Sequence, residues 1–274
     1  MGRQSVNVMV KKITAIAVQK RPGRYNIFLD GQYELAVAES VLIKYRLMKG
    51  MELTPAQIAE LKVADQGAKA YQRTLDFLSH QLRTEQEVRQ RLAKDEVPAD
   101  TIDAIIVRLQ AEQLLDDQVY ADSYVRTVMR TELKGPQIIT QKLRQKGVAI
   151  TKITQALQQF TTEQQVTNVT KLATKLQRRY RKDPQRRQQQ KVHQGLLTNG
   201  YDGTISNLVL EQLTWQVDSQ QQTDLLTQTA QKIWQKNQKY SDSYERTLKT
   251  KQALVRKGFD FDDINAWFAE NDLD

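Results

Sequence analysis

The 274-residue sequence contains no cysteine and only two histidines. Without cysteine the chain can form no disulfide, zinc–thiolate centre or thiol nucleophile, which fits a reducing cytosol. His80 and His193 lie in no ligand-spaced cluster, so both are expected to be solvent-facing helical residues rather than metal ligands. No glycine-rich loop followed by Lys-Ser or Lys-Thr occurs, so nothing indicates a P-loop ATPase.

Long apolar runs are also missing. The first twelve residues hold no run of signal-peptide length, and no stretch approaches the roughly 18 residues of a membrane helix. Hydrophobic residues nevertheless make up 39% of the chain, which is enough to build packed cores. We therefore expect a soluble, cytoplasmic protein that does not bind a membrane.

Two groups of acidic residues could in principle hold the divalent metal of a nuclease. Asp116 and Asp117 fall at a helix junction, and Asp260, Asp262 and Asp263 open a predicted helix. Acidic residues in a first helical turn stabilise the positive end of the helix dipole, which is a sufficient explanation. We expect no metal, no cofactor and no enzymatic activity, with a metal-dependent nuclease as a minor alternative.

One motif occurs four times in the chain. It consists of a leucine, three further residues, a glycine or glutamate, an apolar residue, and an isoleucine four or five positions later. The leucines, Leu92, Leu143, Leu196 and Leu254, lie 51, 53 and 58 residues apart. Such a period indicates one supersecondary unit stacked several times. Glu96 takes the glycine position in the first copy, where we expect a strained or differently formed helix end.

The N-terminal residues predict β-structure. Three short strands are expected between residues 12 and 37, separated by a turn at Arg21-Pro22-Gly23 and a second turn at Asp30-Gly31. An Asp-Gly pair between two strand-like runs predicts a hairpin, because a type I′ turn needs positive φ at both positions. A helix follows near residues 39 to 45, and Thr54-Pro55 supplies an N-cap and a first-turn proline for the next helix.

Each repeat resolves into three helices. In the second repeat they are predicted at 117–132, 136–146 and 151–160, with Gly147 as a left-handed cap and Thr151 as an N-cap. The fold class is therefore mainly α, with tandem three-helix repeats in an elongated, curved array behind a small β-hairpin-containing extension. The predicted parts are 1–53 for the extension and 54–116, 117–161, 162–216 and 217–274 for the four repeats.

The formal net charge of +9 favours a polyanionic partner, either nucleic acid or an acidic protein surface. The N-termini of the predicted third helices carry aspartates, such as Asp202, which would repel phosphates and argue against helix-turn-helix reading of DNA. Basic residues collect instead on the second helices and in a dense patch from Lys171 to Lys191. One predicted helical face of this patch carries Lys171, Lys175, Arg178 and Lys182.

Fifteen cations form the candidate contact residues for such a partner. They are Arg89, Arg91, Lys142, Arg144, Lys146, Lys171, Lys175, Arg178, Arg179, Lys182, Arg186, Arg187, Lys191, Arg256 and Lys257. Tyr180 is the one aromatic residue within the dense patch, so backbone or acidic-protein contact fits better than base stacking.

Several segments in a fixed order resemble the RecX family, the bacterial regulators of the RecA recombinase. They are Leu115-Asp116-Asp117, Ala121-Asp-Ser-Tyr-Val125, Lys134-Gly135, Ile139, Leu143 and Lys146-Gly147-Val148. The segments Tyr25-Asn-Ile-Phe-Leu-Asp-Gly31 and Val41-Leu-Ile-Lys44 look like the β extension of the Gram-positive members. The resemblance covers essentially the whole chain.

This resemblance implies a non-enzymatic protein that binds within the groove of the RecA filament on DNA. It would limit filament extension or promote disassembly, and so reduce strand exchange, ATPase and co-protease activity. The implied partners are the RecA filament and, through backbone contacts, single- and double-stranded DNA, and the protein is expected to be a monomer. A sequence-independent DNA-binding protein that acts without RecA stays open as the alternative.

Overall fold

The computed structural model describes residues 9–20, 22–215 and 219–271, which form mostly α-helices behind a small antiparallel sheet. The predicted mainly-α class, with three-helix units and a β extension, is confirmed. Arg21 of the predicted turn and the predicted boundary at 216 and 217 lie outside the described residues. The chain divides into two compact units: Met1–Tyr120 with Lys146–Val148, and Ala121–Gln145 with Ala149–Asp274. The five-part division of the chain stays a prediction.

Four strands form the sheet in the order β3-β2-β1-β4. They are β1 (Lys11–Val18), β2 (Arg24–Leu29), β3 (Gln32–Ala38) and β4 (Glu52–Leu53). Asp30 and Gly31, between β2 and β3, have φ values of 51° and 82°, so both central positions of the turn are left-handed as predicted. Apolar residues of the sheet pack against helix α1 (Glu39–Lys44) and the start of helix α2 (Pro55–Ser79).

Helix α2 contributes to two hydrophobic cores. It begins with a capping box, in which Thr54 accepts from the amide of Gln57 at 3.2 Å and the Gln57 side chain accepts from the amide of Thr54 at 2.9 Å. Ile58 and Leu61 belong to the core under the sheet, whereas Ala70 belongs to the core of the first three-helix group. One continuous helix therefore connects the β extension to the first repeat.

The other helices follow in groups of three. The first group is α2, α3 (Glu85–Lys94) and α4 (Ala99–Ala111), and the second is α5 (Asp117–Thr131), α6 (Pro136–Gln145) and α7 (Ile150–Leu157). The third is α8 (Thr162–Arg179), α9 (Gln185–Thr198) and α10 (Gly203–Gln212), and the fourth is α11 (Ser219–Lys236), α12 (Ser243–Lys257) and α13 (Phe261–Glu270). The predicted N-cap at Thr151 is wrong, because α7 begins at Ile150 after Ala149, which makes no side-chain cap bond.

The repeated motif is the end of each second helix. In α9, for example, the amide of Tyr201 donates to the carbonyl of Leu196 at 3.3 Å, and the amide of Gly200 donates to Leu197 at 2.9 Å. This pair of bonds is a Schellman motif, which needs a left-handed residue just before the apolar one. The φ values at that position are 81° for Gly147, 89° for Gly200, 91° for Gly258 and 58° for Glu96. Glu96 thus adopts the same left-handed backbone geometry as the glycines. That geometry is strained for a residue with a side chain, so this helix end is the strained one.

Three of these turns also pack closely against a second helix earlier in the chain. The pairs are Gly147 with Gln86 of α3, Gly200 with Ile138 of α6, and Gly258 with Arg187 of α9. A Cβ atom on Gly200 would lie 2.6 Å from the amide nitrogen of Ile138, closer than two non-bonded atoms can approach. Glu96 belongs to the first group, which follows the β extension rather than another three-helix group in the described residues, so a side chain is tolerated there.

Candidate functional site

Five of the fifteen candidate contact residues are already paired with acidic side chains. Arg89 pairs with Glu85 (2.7 Å) and Asp103 (2.6 Å), Arg91 with Asp95 (3.5 Å), Lys146 with Glu87 (2.6 Å), Arg186 with Asp260 (2.7 Å) and Lys191 with Asp183 (2.8 Å). The hydrogen bond to Glu87 raises the pKa of Lys146, so this lysine is held charged by its own chain. These cations are less available to a partner than their sequence pattern indicated.

The other ten candidate contact residues have exposed side chains and no ion pair among the residues that the structure describes. They are Lys142, Arg144, Lys171, Lys175, Arg178, Arg179, Lys182, Arg187, Arg256 and Lys257. All ten belong to the second compact unit. We call them the unpaired cations; their charge is not neutralised by the chain itself and can act on a polyanion.

Four of the unpaired cations are exposed on α8, and one of them, Arg179, is its last residue. Lys171, Lys175 and Arg178 are exposed, while Leu172 and Leu176 of the same helix are buried. This arrangement confirms the predicted division of the helix into a charged and an apolar face. Acidic substitutions on the charged face would therefore reverse its charge without disturbing the core.

The prediction that Lys182 shares this helical face is wrong. Helix α8 ends at Arg179, and Tyr180 is its C-cap with φ −102°, so Lys182 lies in the turn before Pro184. The three-to-four-residue spacing of the cations continues past the point where the helix stops.

Lys182 instead joins three cations from two other helices around a cavity of about 330 Å³. Arg187 comes from the first turn of α9, and Arg256 and Lys257 come from the last turn of α12. The cavity is also lined by Asp183, whose carboxylate accepts two hydrogen bonds from Lys191 at 2.8 and 2.9 Å. We call this space the cationic cavity. All four cations belong to the predicted contact residues, but their spacing in the sequence does not indicate that they line a common cavity.

The acidic residues act as helix caps. Asp260 accepts from the amide of Asp262 at 2.9 Å at the start of α13, and Asp202 accepts from the amide of Ile205 at 3.0 Å at the start of α10. Asp117 accepts from the amide of Glu85, the first residue of α3, at 2.9 Å. These bonds satisfy amides that a helix start leaves without a partner.

Among the described residues, no group of three or more histidine, aspartate or glutamate side chains could hold a metal ion. His80 is exposed as predicted, but His193 is half-buried, and its Nε2 has no hydrogen-bond partner in the described part of the chain. The prediction of a solvent-facing histidine is therefore wrong for His193. No helix in the described ranges is long and apolar enough to cross a membrane.

Comparison with protein families gives four matches along the chain, all to RecX. The regulatory protein RecX N-terminal domain matches residues 11–54, and the first, second and third RecX three-helix domains match residues 70–109, 116–157 and 220–268. The last of these covers α12 and α13, which belong to the fourth three-helix group of this chain.

Whole-chain relatives carry the same name. The chain is 49% identical over 262 residues to regulatory protein RecX of Limosilactobacillus reuteri, covering 96% of this chain and 99% of the relative. It is 51% identical over 258 residues to regulatory protein RecX of Levilactobacillus brevis, covering 94% of this chain and 97% of the relative.

Solved structures agree with these sequence matches. A crystal structure of regulatory protein RecX superposes with a TM-score of 0.70 at 52% identity, covering 73% of this chain and 99% of that one. The crystal structure of RecX from Lactobacillus salivarius gives a TM-score of 0.53 at 39% identity, covering 55% of this chain and 97% of that one. Since the similarity extends over both compact units at close to half identity, the chain belongs to the RecX family of regulatory proteins.

Proposed function

We propose that this protein regulates the RecA recombinase by binding the RecA nucleoprotein filament, and that it mostly inhibits filament growth. Strand exchange, ATP hydrolysis and co-protease activity, which depend on the filament, would fall with it. Membership of a family of regulatory proteins supports a regulatory role, and the resemblance described above supports RecA as the partner.

The observation that carries the contact surface is that, of the fifteen candidate contact residues, the ten that keep an unpaired charge all lie in the second compact unit. A cation already paired with a carboxylate gains little by exchanging it for a phosphate. When an unpaired, exposed cation neutralises a phosphate, the counterions condensed on the nucleic acid are released. The resulting gain in binding affinity falls as the salt concentration rises. A filament that carries DNA presents phosphates over a long distance, so the second unit is the proposed contact region.

A mixture of the protein with RecA, ATP and single-stranded DNA tests the proposal. At stoichiometric ratios, the wild-type protein should lower RecA ATP hydrolysis and shorten the filaments seen by electron microscopy. Reversing Lys171, Lys175 and Arg178 to glutamate should weaken this effect by about tenfold or more, because the exposed face of α8 then repels a polyanion. Unchanged ATP hydrolysis and filament length with the wild-type protein would contradict the proposal.

The control is a change of exposed charge that the contact surface does not include. Asp262→Asn with Asp263→Asn removes two acidic charges from α13 and should leave binding unchanged or strengthen it. Arg186 and Asp260 are poor choices for either purpose, because they form an ion pair at 2.7 Å and Asp260 also caps α13. Loss of binding in the aspartate variant but not in the α8 variant would reverse the assigned contact face.

The same unpaired cations also favour the alternative, a sequence-independent DNA-binding protein that acts without RecA. Fluorescence anisotropy with single-stranded DNA in the absence of RecA measures this activity. Tight DNA binding by a protein that leaves RecA ATP hydrolysis unchanged would select the alternative.

A further inference from the structure

The cationic cavity differs from the corresponding places elsewhere in the chain. Each glycine turn described above meets the start of an earlier second helix, so the contact occurs three times in related form. At the start of α3, the hydroxyl of Thr84 donates to the carbonyl of Lys146 at 2.7 Å, and the Lys146 ammonium pairs with Glu87 at 2.6 Å. Charge and hydrogen bonds are thus satisfied there by the chain itself.

The start of α6 is satisfied in a similar way. The amide of Gly135 donates to the carbonyl of Asn199 at 2.8 Å, and the amide of Gln137 donates to the carbonyl of Gly200 at 3.1 Å. The ammonium of Lys134 also donates to the Asn199 side chain at 2.7 Å. The polar groups of this contact therefore bond to one another.

The start of α9 is satisfied only in part. Arg186 of its first turn pairs with Asp260 at 2.7 Å, but this turn contains no acidic residue, and no backbone hydrogen bond joins it to the Gly258 turn in the described residues. Its first amide, that of Gln185, donates instead to the side chain of Gln222 at 3.3 Å. The cationic cavity of about 330 Å³ occupies this place, and its four cations have no ion-pair partner within the described chain.

We propose that the cationic cavity binds a phosphate group of a nucleic-acid backbone. This inference rests on the proposed function for its biological setting, and it names the place in the second unit where the DNA strand is held. Two arginines and two lysines line the cavity, and guanidinium and ammonium groups can each donate several hydrogen bonds to a tetrahedral anion. Like charges gathered around one space repel each other, and a bound anion removes that repulsion.

The lining chemistry favours a phosphodiester backbone over a base or a carboxylate. Phe259 is the one aromatic ring that lines the cavity in the described residues, and it is 5% exposed, so no ring face is free for a base to stack on. A carboxylate and a phosphodiester each carry one negative charge on two oxygens, so four cations call for more than one anionic group. A nucleic-acid backbone carries a phosphate on every nucleotide and can place more than one of them near the cavity.

The experiment compares two variants of the full chain that lose the same charge at different places. Arg256→Gln with Lys257→Gln removes two cations from the last turn of α12, beside the cavity. Lys44→Gln with Lys49→Gln removes two exposed cations from the end of α1 and the turn after it, where no candidate contact residue lies, and is the control. Binding of a fluorescent single-stranded oligothymidylate of about 20 nucleotides is measured by anisotropy at several salt concentrations without RecA, and circular dichroism checks that each variant is folded.

The cavity variant should bind the oligonucleotide at least about tenfold more weakly than the wild type. Its affinity should also depend less on salt, with a slope smaller by about 0.7 for each phosphate that is no longer neutralised. The control variant should stay within about threefold of the wild type. Equal weakening in the two variants, or unchanged binding by the cavity variant, would overturn the assignment. Poly-glutamate binding that is tighter than oligonucleotide binding, and that is abolished in the cavity variant, would also overturn it in favour of an acidic protein surface.

RecA ATP hydrolysis, measured with the same proteins, separates the two proposals. A wild-type protein without effect on RecA but with a cavity-dependent affinity for the oligonucleotide would refute the proposed function and leave the cavity standing. A wild-type protein that inhibits RecA, with a cavity variant that binds the oligonucleotide normally, would refute the cavity alone.

Discussion

At the residue scale, the glycine turns combine two requirements that only glycine meets together. Gly200 has φ 89°, and a Cβ atom there would meet the amide nitrogen of Ile138 at 2.6 Å. Gly200→Ala should therefore cost about 2 to 5 kcal/mol of unfolding free energy, from the left-handed backbone and from forced separation of the turn and α6. Urea denaturation followed by circular dichroism measures the change.

Gly203 provides the control for this substitution. It lies three residues further along, at the start of α10, and a Cβ atom there would meet nothing within 4 Å. Gly203→Ala should be neutral or slightly stabilising, because alanine loses less conformational freedom on folding than glycine. Equal stability of the two variants would show that the close contact at Gly200 is not needed.

Asp65 is a buried carboxylate that holds the β extension on α2. It accepts hydrogen bonds from Arg24 at 3.1 and 3.0 Å, from the amide of Ala38 at 2.8 Å, and pairs with Lys69 at 2.8 Å. Burial opposes ionisation of this carboxyl, but the bonds from Arg24, Lys69 and Ala38 outweigh burial and lower its pKa. The sequence shows that Arg24 and Asp65 are charged, but it does not show that strand β2 places Arg24 beside α2.

Asp65→Asn should destabilise the protein by about 3 kcal/mol at neutral pH, because it leaves Arg24 partly buried without a counter-charge. A lowered pKa in the folded state means that the stabilisation is present above the pKa of the unfolded chain, about 3.9, and is lost as the pH falls through the folded value. The difference between wild type and variant should therefore shrink below about pH 4.

The exposed Asp76 on the same helix gives the comparison for Asp65. Asp76→Asn should change stability by less than about 0.5 kcal/mol across this range. A difference between wild type and Asp65→Asn that grew on acidification would contradict the assigned sign of the pKa shift.

At the element scale, helix α2 carries a glycine in its interior while connecting two cores. Gly67 lies about midway along the helix, and an added Cβ atom would be 3.4 Å from the Cγ2 of Thr101, an ordinary contact distance. Gly67→Ala should stabilise the protein by about 0.5 to 1 kcal/mol, since alanine has the higher helix propensity. Thermal denaturation measures it; a lower midpoint would show that the glycine is needed for packing against α4.

The sequence predicts helices better than it predicts helix ends. The glycine caps and the Thr54 cap follow from local backbone chemistry, and they occur where expected. The predictions for Thr151 and Lys182 are wrong because a helix start without a side-chain cap, and a helix end without glycine, leave little trace in a sequence. In both cases tertiary packing decides where the helix begins or stops.

The candidate site could be predicted only in part for a related reason. Exposure of Lys171, Lys175 and Arg178 on α8 follows from helical periodicity, and all three are exposed. The Arg186–Asp260 pair joins residues from the first turn of α9 and the N-cap of α13, and the cationic cavity joins α9 with α12. Such contacts depend on how two groups of helices pack, which composition and spacing do not encode.

At the scale of the whole molecule, the repeat period predicts a shape that scattering can put to the test. Repeats that contact mainly their neighbours give a longer body than a compact domain. The radius of gyration of the monomer should therefore exceed the roughly 19 Å that compact scaling gives for this chain length. Small-angle X-ray scattering measures it, and a value at the compact limit would contradict the predicted elongated array.

The glycine turns also make the contacts between successive three-helix groups directional. Each of the three close contacts runs backward, from a turn to the start of an earlier second helix, so every added group depends on the one before it. At the start of α12, Asp242 itself accepts from the amide of Tyr244 at 3.1 Å. A three-helix group placed against this start would have to bring a glycine turn and displace the aspartate, whereas the first helix end of the series keeps a side chain at Glu96. The positions that carry glycine therefore mark the groups that rest on an earlier one.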